Sequence, residues 1–411
     1  MDKSGVEATV ADVLERVRAE GDAALFDYEK RFDKVDLDTL RVSKEEMEKA
    51  LSLVDPHLME ALRHAERNIH AFHQAEMRKG ESLEVEKGVS LFRKIVPISS
   101  VGLYIPGGTA PLFSTVLMLS IPAWVAGCRS IVLCTPPSKD GTVNPAILAA
   151  ASLGGVTDIY KVGGAQAIAA MAYGTASIPR VSKIFGPGNR FVMEAKLQVS
   201  RYCAIDMPAG PSEVMVVADT SCDPVYVASD LLSQAEHGPD SQAMLIFIGQ
   251  GKEASSFLDC VEVAIGQELS RLTRGQFLLS SLAHSHAIVV HDKKRAMEIA
   301  NQYAPEHLII ATEDARSLCA LVENAGSVFL GPWSCESAGD YASGTNHTLP
   351  TNGWARSFSG VSTDSFLKKI TVQELSRDGL SSLSDTIVTM AQGESLDAHA
   401  EAVKVRMGEN R

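Results

Sequence analysis

Short apolar runs rich in β-branched residues alternate with helical segments along most of this chain, and that alternation limits the folds it can adopt. Eight such runs follow Val96, each four to six residues long. Strands separated by helices pair in parallel, and helices cover both faces of the resulting sheet. The sequence therefore predicts an α/β protein with parallel sheets. The predicted strands are 130–134, 158–162, 181–185, 213–218, 244–249, 287–291, 307–312 and 327–330.

Eight strands are too many for one small sheet, so we expect two doubly wound, incomplete Rossmann-like α/β domains, one inserted in the other. The main domain is predicted to comprise residues 1–103, with a helical lead-in, and residues 213–348. Residues 104–212 are predicted to form the inserted domain. Residues 349–411 are expected to be a connection followed by a helical C-terminal arm. The sequence itself shows no internal repeat.

The composition indicates a folded, acidic protein whose partner is a small molecule. Hydrophobic residues make up 45% of the 411 residues and charged residues 22%, which excludes a disordered chain. There are 38 Lys and Arg residues against 51 Asp and Glu residues, a formal net charge of -13. That balance argues against nucleic acid or an anionic membrane surface as the partner.

Cysteine usage and the N-terminus predict a reducing, cytoplasmic setting. The seven cysteines are scattered and none stands in a CxxC pair, so we expect core residues rather than disulfides or a thiolate zinc site. The N-terminal residues lack the apolar run and cleavage site of a secretory signal. An uncharged stretch from Ile95 to Cys128 is interrupted by glycines and prolines between Pro106 and Pro122. It predicts a loop and a buried helix rather than a membrane span.

One helix start leads to a candidate metal site. Asp223-Pro224 pairs a capping side chain with proline at the first helical position, which predicts a helix with Gln234 and His237 in its last turn. Asp340 lies in SAGDYASGTNH, a segment of small residues that we expect to be a loop. Nitrogen and oxygen ligands without thiolate suit an open, catalytic divalent site. A capping role for the histidine at the helix end is the alternative.

A second group of histidines, His64, His70 and His73, lies in a stretch rich in Arg, Glu and Gln. The spacing of His70 and His73 places both rings on one helix face. The polar surroundings predict a solvated surface rather than a metal site.

Glu306 and His307 precede an apolar strand in APEHLIIAT. Two adjacent bases of different basicity suit a reaction with two proton removals. The alternative is a polar pair that only begins the strand.

We expect three glycine turns at strand ends: VGGAQAIAA at 162–170, FGPGN at 185–189 and YIPGG at 104–108. Free N–H groups at the helix start after VGG are suited to a phosphate. None of the turns matches GxGxxG with an acidic residue about twenty positions later, so turns that simply need glycine are the alternative. GxSxG, HExxH and P-loop motifs are missing from the sequence, which disfavours the corresponding hydrolases and nucleotidases.

Several longer motifs occur in order along the chain: LLSQAEHGPDSQ, APEHL, SAGDYASGTNHTLPT and LDAH, accompanied by MPAGPSEV, VGGAQAIAA, GPGN and ITVQELS. Together they closely resemble the histidinol dehydrogenase family over nearly the whole chain. The resemblance implies zinc- and NAD-dependent oxidation of L-histidinol to L-histidine through enzyme-held L-histidinal. Two NAD would be reduced in this last step of histidine biosynthesis.

The resemblance also assigns roles to individual residues. Glu306 and His307 match the family's acid/base pair. The ligands of one zinc ion per subunit match Gln234, His237, Asp340 and His399. The substrate-binding positions match these four residues together with Ser212, His307, His347 and Glu394. The NAD-associated positions match Tyr104, Gln166 and Asn189.

The resemblance further implies an intertwined homodimer in which the C-terminal arm supplies Glu394 and His399 to the other subunit's site. One rival is a related zinc/NAD dehydrogenase acting on another small polar alcohol, such as a sulfonated propanediol. The presence of both His347 and Glu394 favours histidinol. A metal-binding or hydrolytic protein that does not use NAD is a second rival. An inactive assembly subunit is disfavoured because every expected site position is filled.

Overall fold

The computed structural model describes residues 3–78, 80–107, 111–272 and 275–408. Within these ranges the chain forms sixteen α-helices, one π-helical turn at Glu29–Asp33 and two 3₁₀ turns at Trp354–Arg356 and Thr363–Phe366. The helices are α1 (Lys3–Glu20), α2 (Asp22–Tyr28), α3 (Lys44–Leu53), α4 (Pro56–Ala75), α5 (Phe113–Ala126), α6 (Pro145–Leu153), α7 (Gly164–Tyr173), α8 (Arg190–Val199), α9 (Pro224–Ala235), α10 (Gly251–Leu269), α11 (Gly275–Leu282), α12 (Lys293–Tyr303), α13 (Ala315–Cys319), α14 (Glu336–Tyr341), α15 (Arg377–Gly393) and α16 (Asp397–Met407).

Thirteen strands occur in the same ranges, and all eight strands predicted from the sequence are among them. The strands are β1 (Ser82–Glu86), β2 (Val89–Pro97), β3 (Ser100–Tyr104), β4 (Ser130–Thr135), β5 (Asp158–Lys161), β6 (Lys183–Phe185), β7 (Ala204–Ile205), β8 (Glu213–Ala218), β9 (Gln242–Ile248), β10 (His286–Val290), β11 (His307–Ala311), β12 (Ser327–Leu330) and β13 (Leu367–Leu375).

Two five-stranded parallel sheets confirm the predicted α/β class. The first has the order β5-β4-β3-β6-β7 and the second the order β10-β9-β8-β11-β12. If the strands of each sheet are numbered along the chain, both sheets have the spatial order 3-2-1-4-5. This is the Rossmann order without its sixth strand. The two parallel sheets therefore have the same topology, although the sequence shows no internal repeat.

The described residues divide into two compact units. The first comprises Met1–Glu76 and Ile98–Phe366 and contains both parallel sheets. The second comprises Met77–Pro97 and Leu367–Arg411. The predicted domain boundaries at residues 104, 212 and 349 stay predictions.

The second unit contains an antiparallel sheet of order β1-β2-β13, followed by α15 and α16. The helical C-terminal segment is confirmed, but the prediction that only helices follow the connection is wrong. Strand β13 pairs with β2 along its whole length, from Leu367 opposite Pro97 to Leu375 opposite Val89. That pairing joins segments about 270 residues apart, and neither strand is a buried apolar run.

The first sheet is covered by the N-terminal helices as well as by its own crossover helices. Val10, Val17 and Leu25 from α1 and α2 share one buried cluster with Ile168 and Ala169 of α7. Small alanine side chains on α7 allow this close helix packing. The helical lead-in therefore belongs to the core of the first sheet.

The uncharged stretch contains the buried helix α5, as predicted, but it also contains strand β3, which the sequence pattern did not predict. No helix in the described part of the chain is long and apolar enough to span a membrane. All seven cysteines are free thiols, and four of them are buried. Cys260 and Cys335 are exposed, so the prediction that the cysteines are core residues is wrong for these two.

Candidate active site and metal centre

Gln234 lies buried in the last turn of α9. The helix begins as predicted, because the Asp223 side chain caps its first turn and Pro224 occupies the first helical position. Helix α9 ends at Ala235. His237 lies in the turn that follows, and its backbone N–H donates a hydrogen bond to the Gln234 carbonyl over 3.2 Å. The prediction that His237 lies in the last helical turn is therefore wrong by two residues.

Helix α14 brings two carboxylates to the same place. Glu336 and Asp340 are four residues apart on this helix, so they share one face, and both are buried. One ligand atom from each, and one ring nitrogen of His237, all lie within 4.8 Å of one another. Glu336 is not among the predicted ligands, because the sequence predicts a loop around Asp340 where the structure has a helix. The four-residue spacing of two acids was the available signal.

Four buried oxygen atoms at this place have no hydrogen-bond partner among the residues that the structure describes. They are Gln234 Oε1, Asp340 Oδ1 and both carboxylate oxygens of Glu336. Such atoms are costly unless they are paired or used as ligands. Oxygen and imidazole ligands without thiolate are typical of an open divalent site. The residues present therefore fit a divalent metal ion.

The predicted acid/base pair lies at the amino end of β11, beside the amino end of the neighbouring strand β8. Glu306 Oε2 accepts hydrogen bonds from the Glu213 N–H over 2.8 Å and from Gln234 Nε2 over 3.1 Å. His307 Nδ1 lies 3.3 Å from the Glu213 carbonyl oxygen. His307 Nε2 lies 3.5 Å from Asp340 Oδ1. The acid/base pair therefore adjoins the candidate metal centre directly.

Burial and neighbouring charges shift the protonation of this cluster. Burial raises the pKa of Glu306 to about 7 and that of Glu213 to about 7. Burial alone would lower the pKa of His307, but the charge of Glu306 and the contact with Asp340 raise it to about 10. Burial opposes ionisation of Asp340 as well, yet the contact with His307 and the charges of the surrounding histidines lower its pKa. These shifts favour a protonated His307 beside an ionised Asp340.

Glu336 differs from Asp340 in its protonation. Burial raises the pKa of Glu336 to about 8, and the charge of Asp340 adds to this rise, whereas the charge of His307 opposes it. A cation placed among these oxygens would favour the ionised carboxylate.

His347 joins this centre to helix α5. Its Nδ1 lies 2.9 Å from the Asp340 carbonyl oxygen, and its Nε2 lies 3.1 Å from the Thr115 hydroxyl. Burial lowers the pKa of His347. Because Nδ1 donates to a carbonyl, the neutral ring accepts a hydrogen bond from Thr115. Ser212, half-buried, immediately precedes Glu213 and so lies at the same strand edge.

The three residues predicted to contact NAD lie at the carboxyl edge of the first sheet. Tyr104 ends β3, Gln166 lies in the first turn of α7 after β5, and Asn189 caps α8 after β6. Open α/β sheets bind ligands at this edge, where the strand order reverses. Here the order reverses between β3 and β6. Tyr104 and Gln166 are buried, whereas Asn189 is exposed.

The FGPGN turn at this edge is held by a buried ion pair. The Gly186 N–H donates to Asp206 Oδ2 over 2.8 Å, and Lys196 Nζ donates to the Gly186 carbonyl over 2.9 Å and pairs with Asp206. Gly186 has φ +127°, and a Cβ there would lie 2.1 Å from the Tyr104 carbonyl oxygen. Glycine is therefore required for this close approach. In the YIPGG turn, Gly108 lies outside the described residues.

Two predicted site residues belong to the second compact unit. Glu394 is the C-cap residue that follows α15, and His399 lies in α16. Their roles stay predictions. His64, His70 and His73 were predicted to lie on a solvated surface. This prediction is wrong for His73, which is fully buried, with its Nδ1 2.8 Å from Glu76 Oε2.

Known proteins are similar to this chain in sequence and in fold. A sequence model of the histidinol dehydrogenase family matches residues 1–407. A histidinol dehydrogenase from Bacteroides thetaiotaomicron is 56% identical over 400 residues, which is 97% of this chain and 92% of that protein. A chloroplastic histidinol dehydrogenase from Arabidopsis thaliana is 51% identical over 410 residues, 99% of this chain and 87% of that protein.

A solved structure agrees with these matches. The crystal structure of histidinol dehydrogenase from Elizabethkingia anophelis superposes with a TM-score of 0.95 at 48% identity, covering 98% of this chain and 92% of that one. Both the sequence and the fold thus match along nearly their full length. The chain belongs to the histidinol dehydrogenase family.

Proposed function

We propose that this chain oxidises L-histidinol to L-histidine through L-histidinal, with one zinc ion per subunit and two NAD, in the last step of L-histidine biosynthesis in the cytoplasm. One observation carries the proposal: buried, unpartnered oxygens of a candidate cation site lie beside a buried Glu–His pair. Family membership gives the substrate, since the relatives are histidinol dehydrogenases.

Gln234, His237 and Asp340 would hold the zinc ion, with His399 as a fourth ligand. When bound, zinc would orient the substrate through its imidazole and amino nitrogens and, by offsetting the charge of Asp340, favour neutral His307. His347 and Thr115 hold the end of helix α14 beside the cation site, because the His347 ring forms hydrogen bonds with the Asp340 carbonyl and the Thr115 hydroxyl. Substrate contacts would come from Ser212, His347 and Glu394.

His307 is suited to remove the proton of the substrate hydroxyl. Its Nδ1 faces the Glu213 carbonyl, so Nδ1 carries the hydrogen in the neutral ring and Nε2 is the basic atom. Loss of that proton allows hydride to leave the carbinol carbon for NAD, which yields the aldehyde.

Glu306 is suited to activate water for the second oxidation. Two N–H donors occupy its Oε2, so Oε1 is the oxygen that would take a proton from water as the water adds to the aldehyde carbon. The resulting hydrate gives up a second hydride to a second NAD. A pKa of about 7 lets Glu306 accept and release a proton near neutral pH.

The deciding assay mixes purified, zinc-loaded protein with L-histidinol and NAD and follows NADH absorbance. Two NADH per histidinol are expected. One NADH would instead indicate a simple alcohol dehydrogenase, and none would refute the proposal. A sulfonated propanediol, supplied as the alternative alcohol, is expected to give no NADH.

Glu306→Gln separates the two half-reactions. Oxidation of supplied L-histidinal is expected to fall by about 10²- to 10⁴-fold, because a positioned base is lost. Glu313→Gln is the matched control, since this exposed residue lies just past the other end of β11 and away from the cluster. Histidinal oxidation at the parent rate in Glu306→Gln would contradict the water-activation role.

An intertwined homodimer, with Glu394 and His399 supplied in trans, forms the last part of the proposal. Mixing a His307→Ala subunit with a His399→Ala subunit should restore activity in heterodimers, because one complete site forms per pair. Homodimers of each variant are the controls. Confirmed heterodimers that show no recovery would contradict the exchange of arms.

A further inference from the structure

A fully buried glutamate lies against the start of α7 at the carboxyl edge of the first sheet. Glu29 begins the π-helical turn after α2, and its side chain reaches the residues that open α7. Glu29 Oε1 accepts hydrogen bonds from Gln166 Nε2 over 3.0 Å and from the Gly163 N–H over 3.3 Å. A residue from the helical lead-in therefore holds a residue predicted to contact NAD.

The chain maintains this carboxyl group at a cost. Glu29 Oε2 is buried and has no hydrogen-bond partner in the described part of the chain, and burial raises the pKa of Glu29 well above its usual range. The turn itself is unusual, since it is π-helical and is followed by Lys34 at φ +61°. Local strain of this kind is concentrated at functional sites.

The contacts fix which way the Gln166 amide points. Its nitrogen is held by Glu29, so its carbonyl oxygen lies on the opposite side, where a Cβ on Gly164 would approach it to 2.6 Å. The Gly164 N–H donates to the Tyr104 hydroxyl over 3.1 Å. Side chains thus occupy the N–H groups of residues 163 and 164 that a phosphate would use at this helix start.

We propose that Glu29 is a positioning residue of the cofactor site: it orients the Gln166 amide so that the carbonyl oxygen faces the dinucleotide. The inference rests on the proposed function for NAD as the ligand. It also implies that the pyrophosphate does not bind the first N–H groups of α7, because Glu29 and Tyr104 already fill them.

Steady-state kinetics of Glu29 variants test the proposal. Glu29→Ala is expected to raise KM for NAD about five- to tenfold and to leave KM for histidinol unchanged, because a misoriented amide loses about one hydrogen bond. Glu29→Gln keeps an acceptor oxygen and is expected to stay within about twofold of the parent. Glu29→Asp keeps the carboxyl group but shortens its reach, so it should raise KM for NAD as Glu29→Ala does.

Matched variants distinguish positioning from general packing. Asp22→Ala removes contacts of the same lead-in with Ser177, beyond the far end of α7, and is expected to leave KM for NAD unchanged. Gln166→Ala should raise KM for NAD as much as Glu29→Ala does. The double variant should add nothing, since both changes remove one interaction.

Defined results would overturn the inference. A folded Glu29→Ala protein with unchanged KM for NAD would do so, as would equal rises in both KM values or a Glu29→Gln variant as impaired as Glu29→Ala. If Glu29→Ala does not fold, Glu29→Asp decides in its place. Failure of the proposed function is separate, because parent protein would then produce no NADH and bind no NAD in equilibrium dialysis.

Discussion

Replacing Glu336 by glutamine should stabilise the metal-free protein and weaken metal binding. Both Glu336 oxygens are buried without a hydrogen-bond partner in the described ranges, and one lies within 4.8 Å of an Asp340 oxygen. Two like charges at that separation repel by about 3 kcal/mol with an effective dielectric constant of about 20. Glu336→Gln removes this repulsion. It also removes a charge that attracts a cation, so zinc affinity should fall about 10- to 100-fold.

The stabilisation should depend on pH with a definite sign. The pKa of Glu336 rises from 4.5 to about 8 on folding, so folded protein keeps a proton that the unfolded chain releases between these values. The free energy of unfolding of the parent protein therefore falls as pH rises through this range. Glu336→Gln lacks that loss, so its advantage should be small near about pH 5 and full near about pH 9.

Urea denaturation of chelator-treated protein at both pH values measures the first effect, and zinc titration measures the second. Glu313→Gln, an exposed glutamate, is the control. Lower stability of metal-free Glu336→Gln at high pH would refute the electrostatic reasoning. So would unchanged zinc affinity.

Three further outcomes are expected. Thr115→Val removes the hydroxyl that bonds His347, and urea denaturation should show a loss of about 1 kcal/mol; an unchanged midpoint would contradict that bond's contribution. Lys196→Met leaves Asp206 buried without its ion-pair partner and should cost about 3–5 kcal/mol, whereas a loss below about 1 kcal/mol would show that Asp206 finds another partner. Removing metal with a chelator should lower thermal stability, and zinc at about 100 times its Kd should restore about 2.7 kcal/mol. No change on chelation would argue against a metal bound by the folded state.

Local sequence signals predicted the parallel sheets well. Buried strands such as Glu213–Ala218 are continuous apolar runs, and the Asp223-Pro224 helix start depends on neighbouring residues alone. Strand β13 was not predicted, because its side chains are mostly exposed and its partner β2 is distant in sequence. Pairing of that kind is a tertiary property that no local pattern shows.

Residues of the candidate site could be predicted from the sequence only where they lie in a recognisable motif. The motifs point to Gln234, Asp340 and His307, whose side chains lie close together, but they do not point to Glu336 or Glu213. Both were hidden by their surroundings, since Glu213 begins an apolar strand and Glu336 lies among small residues read as a loop. Their importance depends on burial, which is set by packing of distant segments.

The acid/base pair stands at the start of a strand instead of following one, and this affects how the enzyme can change. His307 is the first residue of β11 and pairs with Val214, next to Glu213 at the start of β8. Backbone hydrogen bonds of the parallel sheet thus fix the spacing between the acid/base pair and Glu213. Loops after the strands, where α/β enzymes usually vary, can lengthen or shorten without disturbing it. Engineering for a new alcohol should therefore target the segments that lead into β8 and β11.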